Sequence, residues 1–115
     1  MRGGSRSGAP RSGAALEPIW NAVCAIPRGC ASTYGAIARA VGLPGRARLV
    51  GFALKVAPDE LNLPWHRVVG AHGRIAFPPS SAHFREQVRR LRAEGVRVEK
   101  GRVAAEAFEL CGLTR

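Results

Sequence analysis

The chain has 115 residues, 46% of them hydrophobic and 23% charged, which is the composition of one globular domain with little room for a second. It contains no run of about 20 apolar residues, so a membrane-spanning helix is not expected. Lysine and arginine outnumber aspartate and glutamate by 18 to 8, which gives a net charge of +10 and makes a polyanion such as nucleic acid the first partner to consider. A coding bias toward arginine is the alternative explanation of this charge.

The cysteines give information about compartment and metal binding. Cys24, Cys30 and Cys111 are odd in number and contain no Cys-x-x-Cys pair. This pattern predicts neither a disulfide framework nor a zinc site, and it fits a reducing compartment. Residues 1–14 also lack the apolar segment of a signal peptide. We therefore expect a cytoplasmic protein with no membrane partner, no metal and no other cofactor.

The chain begins with a segment unlike the rest. Residues 1–14 are rich in glycine, serine and arginine without periodicity, which predicts a disordered basic arm. One ordered domain is expected over residues 15–115. Its first helix should begin near Pro18, because proline is favoured in a first helical turn. The residues expected on the buried face of this helix are Leu16, Ile19, Trp20, Val23 and Cys24.

Two short helices joined by a Gly/Pro turn are predicted next. Either Ser32 or Thr33 can cap the first of them, and the second begins near Arg46 after the turn at 42–45. The positions expected to face inward are Ile37, Ala38, Val41, Leu49, Val50, Ala53 and Leu54. The positions left for other faces are Arg46, Ala47, Arg48 and Gly51. Together these features predict a helix-turn-helix.

The second half of the chain adds a wing and one longer helix. Segments 68–69 and 74–75 can pair across a glycine-containing turn as a small hairpin. Ser81 should cap a helix that ends at Gly95, and 96–99 should form a strand. In that helix Phe84, Val88 and Leu91 face inward, while Arg85, Arg89 and Arg92 form a stripe that we interpret as a solvated face. The predicted fold class is α+β, mainly α, a winged helix-turn-helix-like single domain.

The stretch 64–67, Pro-Trp-His-Arg, combines residue types that suggest a site. His66 could be a general base, a metal ligand or a structural histidine, although His72 and His83 lack the spacing of a metal site. The indole N–H of Trp65 has no useful acidity, so His66 has no nucleophile beside it to activate. Trp65 itself is either a core aromatic or the wall of a pocket for a flat ligand such as a nucleobase.

Four motifs then carry a resemblance. They are Ile-Pro-Arg-Gly at 26–29, Ser-Thr-Tyr-Gly at 32–35, Ala-Arg-Leu-Val-Gly at 47–51 and Pro-Trp-His-Arg-Val-Val at 64–69. Their order and spacing resemble the DNA-binding domain of the O6-alkylguanine-DNA alkyltransferases, from about Ile19 to Val98. At the position of Trp65 those enzymes carry the cysteine that accepts the alkyl group. With tryptophan at this position, the chain resembles the alkyltransferase-like proteins, which bind the alkylated base without repairing it. The resemblance therefore assigns no residue a catalytic role.

The resemblance implies roles for individual residues. Arg48 matches the arginine finger that fills the gap left by a flipped nucleotide, and Tyr34 matches the tyrosine that crowds the neighbouring phosphate. Further DNA contacts are expected from Thr33, Arg46, Ala47 and Gly51. The expected lesion pocket consists of Tyr34, Pro64, Trp65, Val68 and Arg74, the last of these in the loop at 73–79. His66 and Glu94 match the relay that activates the cysteine in the enzymes, and without a thiol they are expected to be structural.

The implied function is non-enzymatic recognition of O6-alkylguanine in double-stranded DNA by a monomer. The protein would bind the minor groove, flip the nucleotide and mark it for nucleotide excision repair proteins. Two alternatives remain open. One is a helix-turn-helix transcription regulator that reads a sequence in the major groove. The other is an alkyltransferase with residual activity through Cys24, Cys30 or Cys111.

Overall fold

The structure, a computed structural model, describes residues 12–109 and 111–112, which form five α-helices, four short strands and three single-turn 3-10 helices (Asp59–Leu61, Trp65–Arg67 and Ala71–Gly73). The helices are α1 (Ser12–Cys24), α2 (Tyr34–Ala40), α3 (Ala47–Lys55), α4 (Ala82–Ala93) and α5 (Glu106–Glu109). The strands are β1 (Ser32–Thr33), β2 (Val68–Val69), β3 (Val98–Glu99) and β4 (Arg102–Val103). The predicted class, α+β and mainly α, is confirmed.

Helix α1 begins at Ser12, inside the segment that the composition predicts to be an arm, and Pro18 lies within the helix. The predicted start near Pro18 is therefore wrong. Ala14, Ala15 and Leu16 are strong helix formers that extend the helix toward the N-terminus, and the single hydrogen bond that Pro18 cannot donate does not stop it. Residues 1–11, the rest of the predicted arm, lie outside the described residues.

The first core lies between α1, α2 and α3, as the helical periodicity predicts. Its buried members include Leu16, Ile19, Val23, Ile37, Ala38, Val50, Ala53 and Val68. Trp20 packs against this core, and its Nε1 donates a hydrogen bond of 2.8 Å to the carbonyl oxygen of Ala53. The prediction that Cys24 joins the buried face is wrong, because it is exposed. It is the last residue of α1 and lies roughly 100° around the helix from Val23, at the edge of the apolar stripe.

The helix-turn-helix is confirmed. Thr33 is the residue that caps α2, where its hydroxyl oxygen accepts a hydrogen bond of 3.0 Å from the backbone N–H of Ala36. The connection to α3 turns at Gly42 and Gly45, whose φ angles of 81° and 83° lie in the left-handed region that glycine tolerates. This turn packs α3 across α2 and leaves Arg46 and Arg48 exposed.

The pairing of β2 differs from the prediction. Val68 and Val69 pair in parallel with Ser32 and Thr33 of β1, so the expected hairpin with 74–75 is wrong. Instead, Arg74 forms an isolated antiparallel bridge with Arg102. The physical reason is burial: both valines are fully buried, and β1 offers two buried residues beside them, whereas Arg74 is exposed. Because successive side chains of a strand point to opposite sides, Val68 joins the first core and Val69 the second.

The second core lies under α4 and the hairpin of β3 and β4. It contains Val69, Ile75, Leu91, Val96, Val98, Val103 and Phe108, with Phe77, Phe84 and Val88 packed against it. Ser81 caps α4, since its hydroxyl oxygen accepts a hydrogen bond of 3.1 Å from the N–H of Phe84. The predicted cap and the predicted strand near residue 98 are both confirmed.

A disulfide joins Cys30 to Cys111, so the prediction that the cysteines form none is wrong. The two residues are 81 positions apart in sequence, but their Cα atoms lie 6.1 Å apart, within the usual range for a disulfide. Helix α5 causes this approach, because Phe108 is buried in the second core and the carbonyl of Ala107 accepts a hydrogen bond from the N–H of Ala31. Within the described residues, none of the helices is long and apolar enough to cross a membrane.

Candidate nucleic-acid interface

The exposed surface of α3 carries the cations predicted to contact DNA. Arg46, at the N-terminal cap position, and Arg48 are both exposed, while Ala47 is partly buried. One helical turn after Arg48 stands Phe52, which is 52% exposed. Because Phe52 is four positions after Arg48, the two exposed side chains lie on the same face of α3.

Gly51 lies in the same helix and serves no visible purpose inside the protein. A Cβ atom placed on it would meet nothing within 4 Å, and its backbone is helical. Glycine in a helix costs about 0.5–1 kcal/mol relative to alanine. Neither packing nor backbone conformation requires the glycine, so an alanine would fit at this position, and the contact of Gly51 with DNA stays a prediction.

Tyr34 begins α2 directly after the capping residue. Its ring is partly buried against the first core, and burial raises the pKa of its phenol above the usual value of 10, so the hydroxyl is neutral. Thr33 is itself buried, with its hydroxyl oxygen engaged in the cap of α2. The structure thus gives Thr33 a role within the protein, and its contact with DNA stays a prediction.

Trp65 is half-buried and belongs to neither core among the described residues. Its ring centroid lies 6.0 Å from that of Phe77 and 6.1 Å from that of His83, and both contacts are edge-to-face. The guanidinium carbon of Arg90 lies 5.4 Å from the centroid of the Trp65 ring, over its face. The surroundings of Trp65 are therefore aromatic and cationic, which distinguishes it from Trp20 in the first core.

Phe77, His83 and Arg90 contact Trp65 in the structure, and the sequence interpretation missed all three. Phe77 lies in the same loop at 73–79 as the predicted pocket residue Arg74, but no sequence pattern in the loop distinguishes Phe77. His83 and Arg90 are seven positions apart in α4, so they share one helix face, and this spacing is a signal that could have found them. Arg90 is held in place by Glu86, because its Nε donates a hydrogen bond of 2.6 Å to Glu86 Oε2.

Next to Trp65, a buried network converges on Glu94. Arg67 donates to it from Nε at 3.0 Å and from Nη2 at 2.8 Å, and the backbone N–H of Gly29 donates at 3.1 Å. His66 Nε2 lies 2.7 Å from Glu94 Oε2. Arg67 also donates from Nη1 to the carbonyl of Ile26 at 2.9 Å. The network therefore joins the segment 26–29 to the Trp65 motif and to the end of α4.

The charge states in this network follow from burial and hydrogen bonding. Burial opposes ionisation of Glu94, but hydrogen bonds from Arg67, Gly29 and His66 together outweigh it and lower the pKa of Glu94 to about 2. Burial lowers the pKa of His66 below its usual 6.5, against the opposing effect of Glu94. A neutral His66 then donates from Nε2 to the carboxylate. Its Nδ1 is a buried acceptor with no partner among the described residues.

The structure places the other predicted pocket residues, Pro64, Val68 and Arg74, in three different environments. Pro64 is partly buried directly before Trp65. Val68 is fully buried in the first core, so its predicted place in the pocket lining is wrong: as a strand residue paired with Ser32 it has no exposed surface. Arg74 is exposed and bridges Arg102 through its backbone, and the cation found over Trp65 is Arg90 instead. The described residues contain no group of three or more side chains that could hold a metal.

Comparison with known proteins identifies the family. Residues 15–96 match the family described as 6-O-methylguanine DNA methyltransferase, DNA binding domain. The chain belongs to this family. Membership confirms the resemblance drawn from the four motifs, and it covers the helix-turn-helix, the Trp65 motif and Glu94.

Individual relatives in the family agree with this assignment. Alkyltransferase-like protein 1 of Schizosaccharomyces pombe is 48% identical over 80 residues, which are 70% of this chain and 74% of that protein. The DNA base-flipping protein of Escherichia coli is 45% identical over 82 residues, 71% of this chain and 62% of the relative, so the chain spans less than two thirds of it. The crystal structure of S. pombe Atl1 in complex with damaged DNA containing O6-carboxymethylguanine is similar with a TM-score of 0.69 at 43% identity, covering 78% of this chain and 83% of that chain.

Proposed function

We propose that this protein binds double-stranded DNA at O6-alkylated guanine and holds the damaged nucleotide flipped out of the duplex without repairing it. The observation that carries the proposal is the surroundings of Trp65, a half-buried indole outside both cores that has edge-to-face contacts with Phe77 and His83 and Arg90 over its face. Such a site suits a flat base. The names of the relatives, an alkyltransferase-like protein and a DNA base-flipping protein, support this proposal.

Attachment to the duplex rests on α3. The net charge of +10 attracts the phosphates, and the small Ala47 and Gly51 let the helix approach a groove closely. Flipping a nucleotide costs a few kcal/mol, and less when the pair is already weakened by alkylation. Arg48 inserted into the resulting gap offsets part of that cost, while the neutral Tyr34 hydroxyl donates to the phosphate beside the lesion.

Selectivity comes from the pocket. Contact of a base with an aromatic side chain contributes roughly 1–3 kcal/mol, which Trp65 supplies together with the edge of Phe77. Arg90 adds N–H donors, and guanine presents acceptors at O6 and N7 that suit a guanidinium. Pro64 shapes the approach to Trp65. Arg74 contributes to the proposed pocket as part of the loop at 73–79, while the cation over Trp65 is Arg90.

Chemistry at the alkyl group is not part of the proposal. Trp65 has no thiol, so the base offered by His66 has nothing to activate, and Glu94 acts as a structural partner of Arg67. Cys30 and Cys111 are engaged with each other, which leaves Cys24 as the free cysteine for the alternative of residual transfer. With no reaction to complete, the time spent on the lesion is the functional quantity, and nucleotide excision repair proteins are the proposed partners of the monomer.

The regulator alternative is less well supported by α3. Reading bases in a major groove requires long polar side chains at the contact positions, and Ala47 and Gly51 provide none. A regulator would also have no use for the aromatic surroundings of Trp65. It predicts strong sequence preference and indifference to alkylation, which the same binding experiment examines.

The deciding experiment compares affinity for two duplexes of one sequence, with guanine or O6-methylguanine, at a single salt concentration. We expect tighter binding to the alkylated duplex, and equal affinities would exclude the proposal. In the same duplexes, 2-aminopurine beside the lesion should brighten when the nucleotide is flipped. Arg48→Ala should reduce both the affinity and the brightening. Arg97→Ala removes an exposed arginine that directly precedes β3, and it should change neither. Mass spectrometry after incubation should find no alkyl adduct on the protein.

A further inference from the structure

An open groove of about 780 Å³ lies between α4 and the hairpin of β3 and β4. Its floor is apolar and consists of Phe84, Val88 and Val98, with Gly101 bringing the hairpin close to the ring of Phe84. Its rim carries the cations Arg85, Arg89, Arg92 and Lys100, and no acidic residue lines it. The function proposed above makes no use of this groove.

The groove faces away from Trp65. On α4, His83 and Arg90 lie on the side that contacts Trp65, whereas Val88 and Arg92 lie roughly half a turn around the helix. The floor also belongs to the second core, while α3 packs against α1 and α2 in the first. A molecule in the groove would therefore leave the surfaces of Arg48 and Trp65 free.

The three arginines of the rim are held by hydrogen bonds within the protein, and most of the rim charge is not neutralised by a carboxylate among the described residues. Arg92 donates to the carbonyl of Val98 at 2.7 Å, and Arg85 donates to the carbonyl of Ser80 at 3.0 Å. Arg89 is paired with Glu86 through hydrogen bonds of 3.0 and 2.7 Å. Within residues 12–109 and 111–112, no carboxylate forms an ion pair with Arg85, Arg92 or Lys100. Three cations thus surround an apolar floor with no acidic partner in the part of the chain that the structure describes.

This combination specifies an occupant that is both acidic and apolar. Duplex DNA supplies phosphates for the rim, but its bases are stacked and paired, so it presents too little apolar surface to cover Phe84 and Val88. The chain's own segment 1–11 has the wrong charge, since it contains three arginines and no acidic residue. We infer that the groove binds an acidic segment of another protein, with apolar side chains that enter it between the cations.

The inference rests on the proposed function, because that function determines which kind of protein would use the groove. A protein that holds a lesion without repairing it has to pass it to other proteins, and a docking surface that stays open while DNA is bound meets that need. The partner is accordingly a component of the repair machinery with an acidic segment anchored by apolar residues. The occupied groove and the occupied lesion pocket are compatible in one complex.

The test uses a fluorescein-labelled helical peptide that combines glutamates with one leucine and one phenylalanine on the same face. The full-length protein should bind it, and amide NMR signals of Val88 and Gly101 should shift. The double variant Arg85→Glu, Lys100→Glu should weaken binding by about tenfold or more. The control is Arg97→Glu, Arg102→Glu, which makes the same change in charge at exposed positions outside the groove and should weaken binding much less.

Several results would overturn the inference. The first is that the peptide does not bind, and the second is that binding is unchanged when the leucine and phenylalanine of the peptide are replaced by serine. The third is that undamaged duplex displaces the peptide and that the groove variant loses more affinity for DNA than the control variant does. Self-association of the wild type that the groove variant abolishes would assign the groove to a second copy of the chain. Affinity for the O6-methylguanine duplex is measured on both variants, so a failure of lesion binding is seen separately from a failure of peptide binding.

Discussion

Arg67 and Glu94 are joined by two hydrogen bonds, from Nε to Oε1 at 3.0 Å and from Nη2 to Oε2 at 2.8 Å. The same carboxylate accepts from Gly29 and His66, so four donors meet on a side chain that is 6% exposed. In the alkyltransferases that this chain resembles, the histidine and glutamate serve a reactive cysteine. Here the arrangement fixes the position of Trp65 relative to α4, which makes it a structural support of the proposed pocket.

Replacing Glu94 by glutamine tests that support. The substitution keeps the shape but leaves Arg67 without a counter-ion, and breaking a buried ion pair in this way should lower the free energy of unfolding by about 3–5 kcal/mol. The control is Glu106→Gln, which removes the exposed pair with Arg97 and should cost less than about 1 kcal/mol. Urea denaturation at neutral pH measures both. Equal losses would show that the Glu94 network has no special structural role.

Stability should fall on acidification in two stages. The pKa of His66 lies below 6.5 in the folded protein, so protonation favours the unfolded chain and stability is lost as the pH falls below 6.5. The pKa of Glu94 is about 2 when folded against a usual 4.5, so its contribution is complete above 4.5 and is lost as the pH falls toward 2. Urea unfolding at a series of pH values measures this. Hydrogen bonds from Arg89 and Arg90 also lower the pKa of Glu86 to about 2, so Glu94→Gln should reduce the lower stage without abolishing it. An undiminished lower stage in Glu94→Gln would contradict the assignment.

The two tryptophans should respond differently to truncation. Trp20→Ala removes a ring that packs on the first core and donates to Ala53, and it should lower the free energy of unfolding by about 3–5 kcal/mol. Trp65→Ala removes a ring outside both cores and should cost less. It should instead reduce the preference for O6-methylguanine while leaving affinity for undamaged DNA nearly unchanged. If both DNA affinities and the stability collapse together, Trp65 is a core residue after all.

Arg90 offers a test of the pocket with a close control. Arg90→Gln removes the cation over Trp65 and should reduce lesion selectivity by about 1 kcal/mol, because both the cation–π contact and a donor to the base are lost. Arg89→Gln removes the same charge from a neighbour that binds the same Glu86 but lines the groove instead. The ratio of affinities for alkylated and normal duplex measures the effect. Identical ratios in the two variants would remove Arg90 from the pocket.

Gly51→Ala should separate stability from function. With nothing within 4 Å of the added methyl group, the variant should have a free energy of unfolding about 0.5–1 kcal/mol higher than that of the wild type. The methyl group lies on the face predicted to approach DNA, so affinity for duplex DNA should fall. Thermal or urea unfolding and duplex titration are run on the same preparation. A gain in stability with unchanged DNA affinity would show that α3 does not approach DNA through Gly51.

Much of the fold is predictable because its causes are local. The apolar stripes of α2, α3 and α4 repeat at the helical period, and Thr33 and Ser81 mark helix starts by side-chain caps that need only three residues downstream. The turn at Gly42 likewise depends on one backbone angle. Trp65 stands in its motif where the resemblance expects a cysteine, and binding in place of transfer is predicted from that single position.

Other features were decided by contacts between distant segments, which no local pattern encodes. The partner of β2 is β1 because both valines needed burial, and Cys111 meets Cys30 across 81 positions because α5 folds back onto the second core. The surroundings of Trp65 arise in the same way, since α4 brings Arg90 to its face while Arg74 bridges Arg102. Sequence by itself determined which residue types are available for the site. Tertiary packing decided which of them meet, because burial of the two cores sets the relative placement of helices that are far apart along the chain.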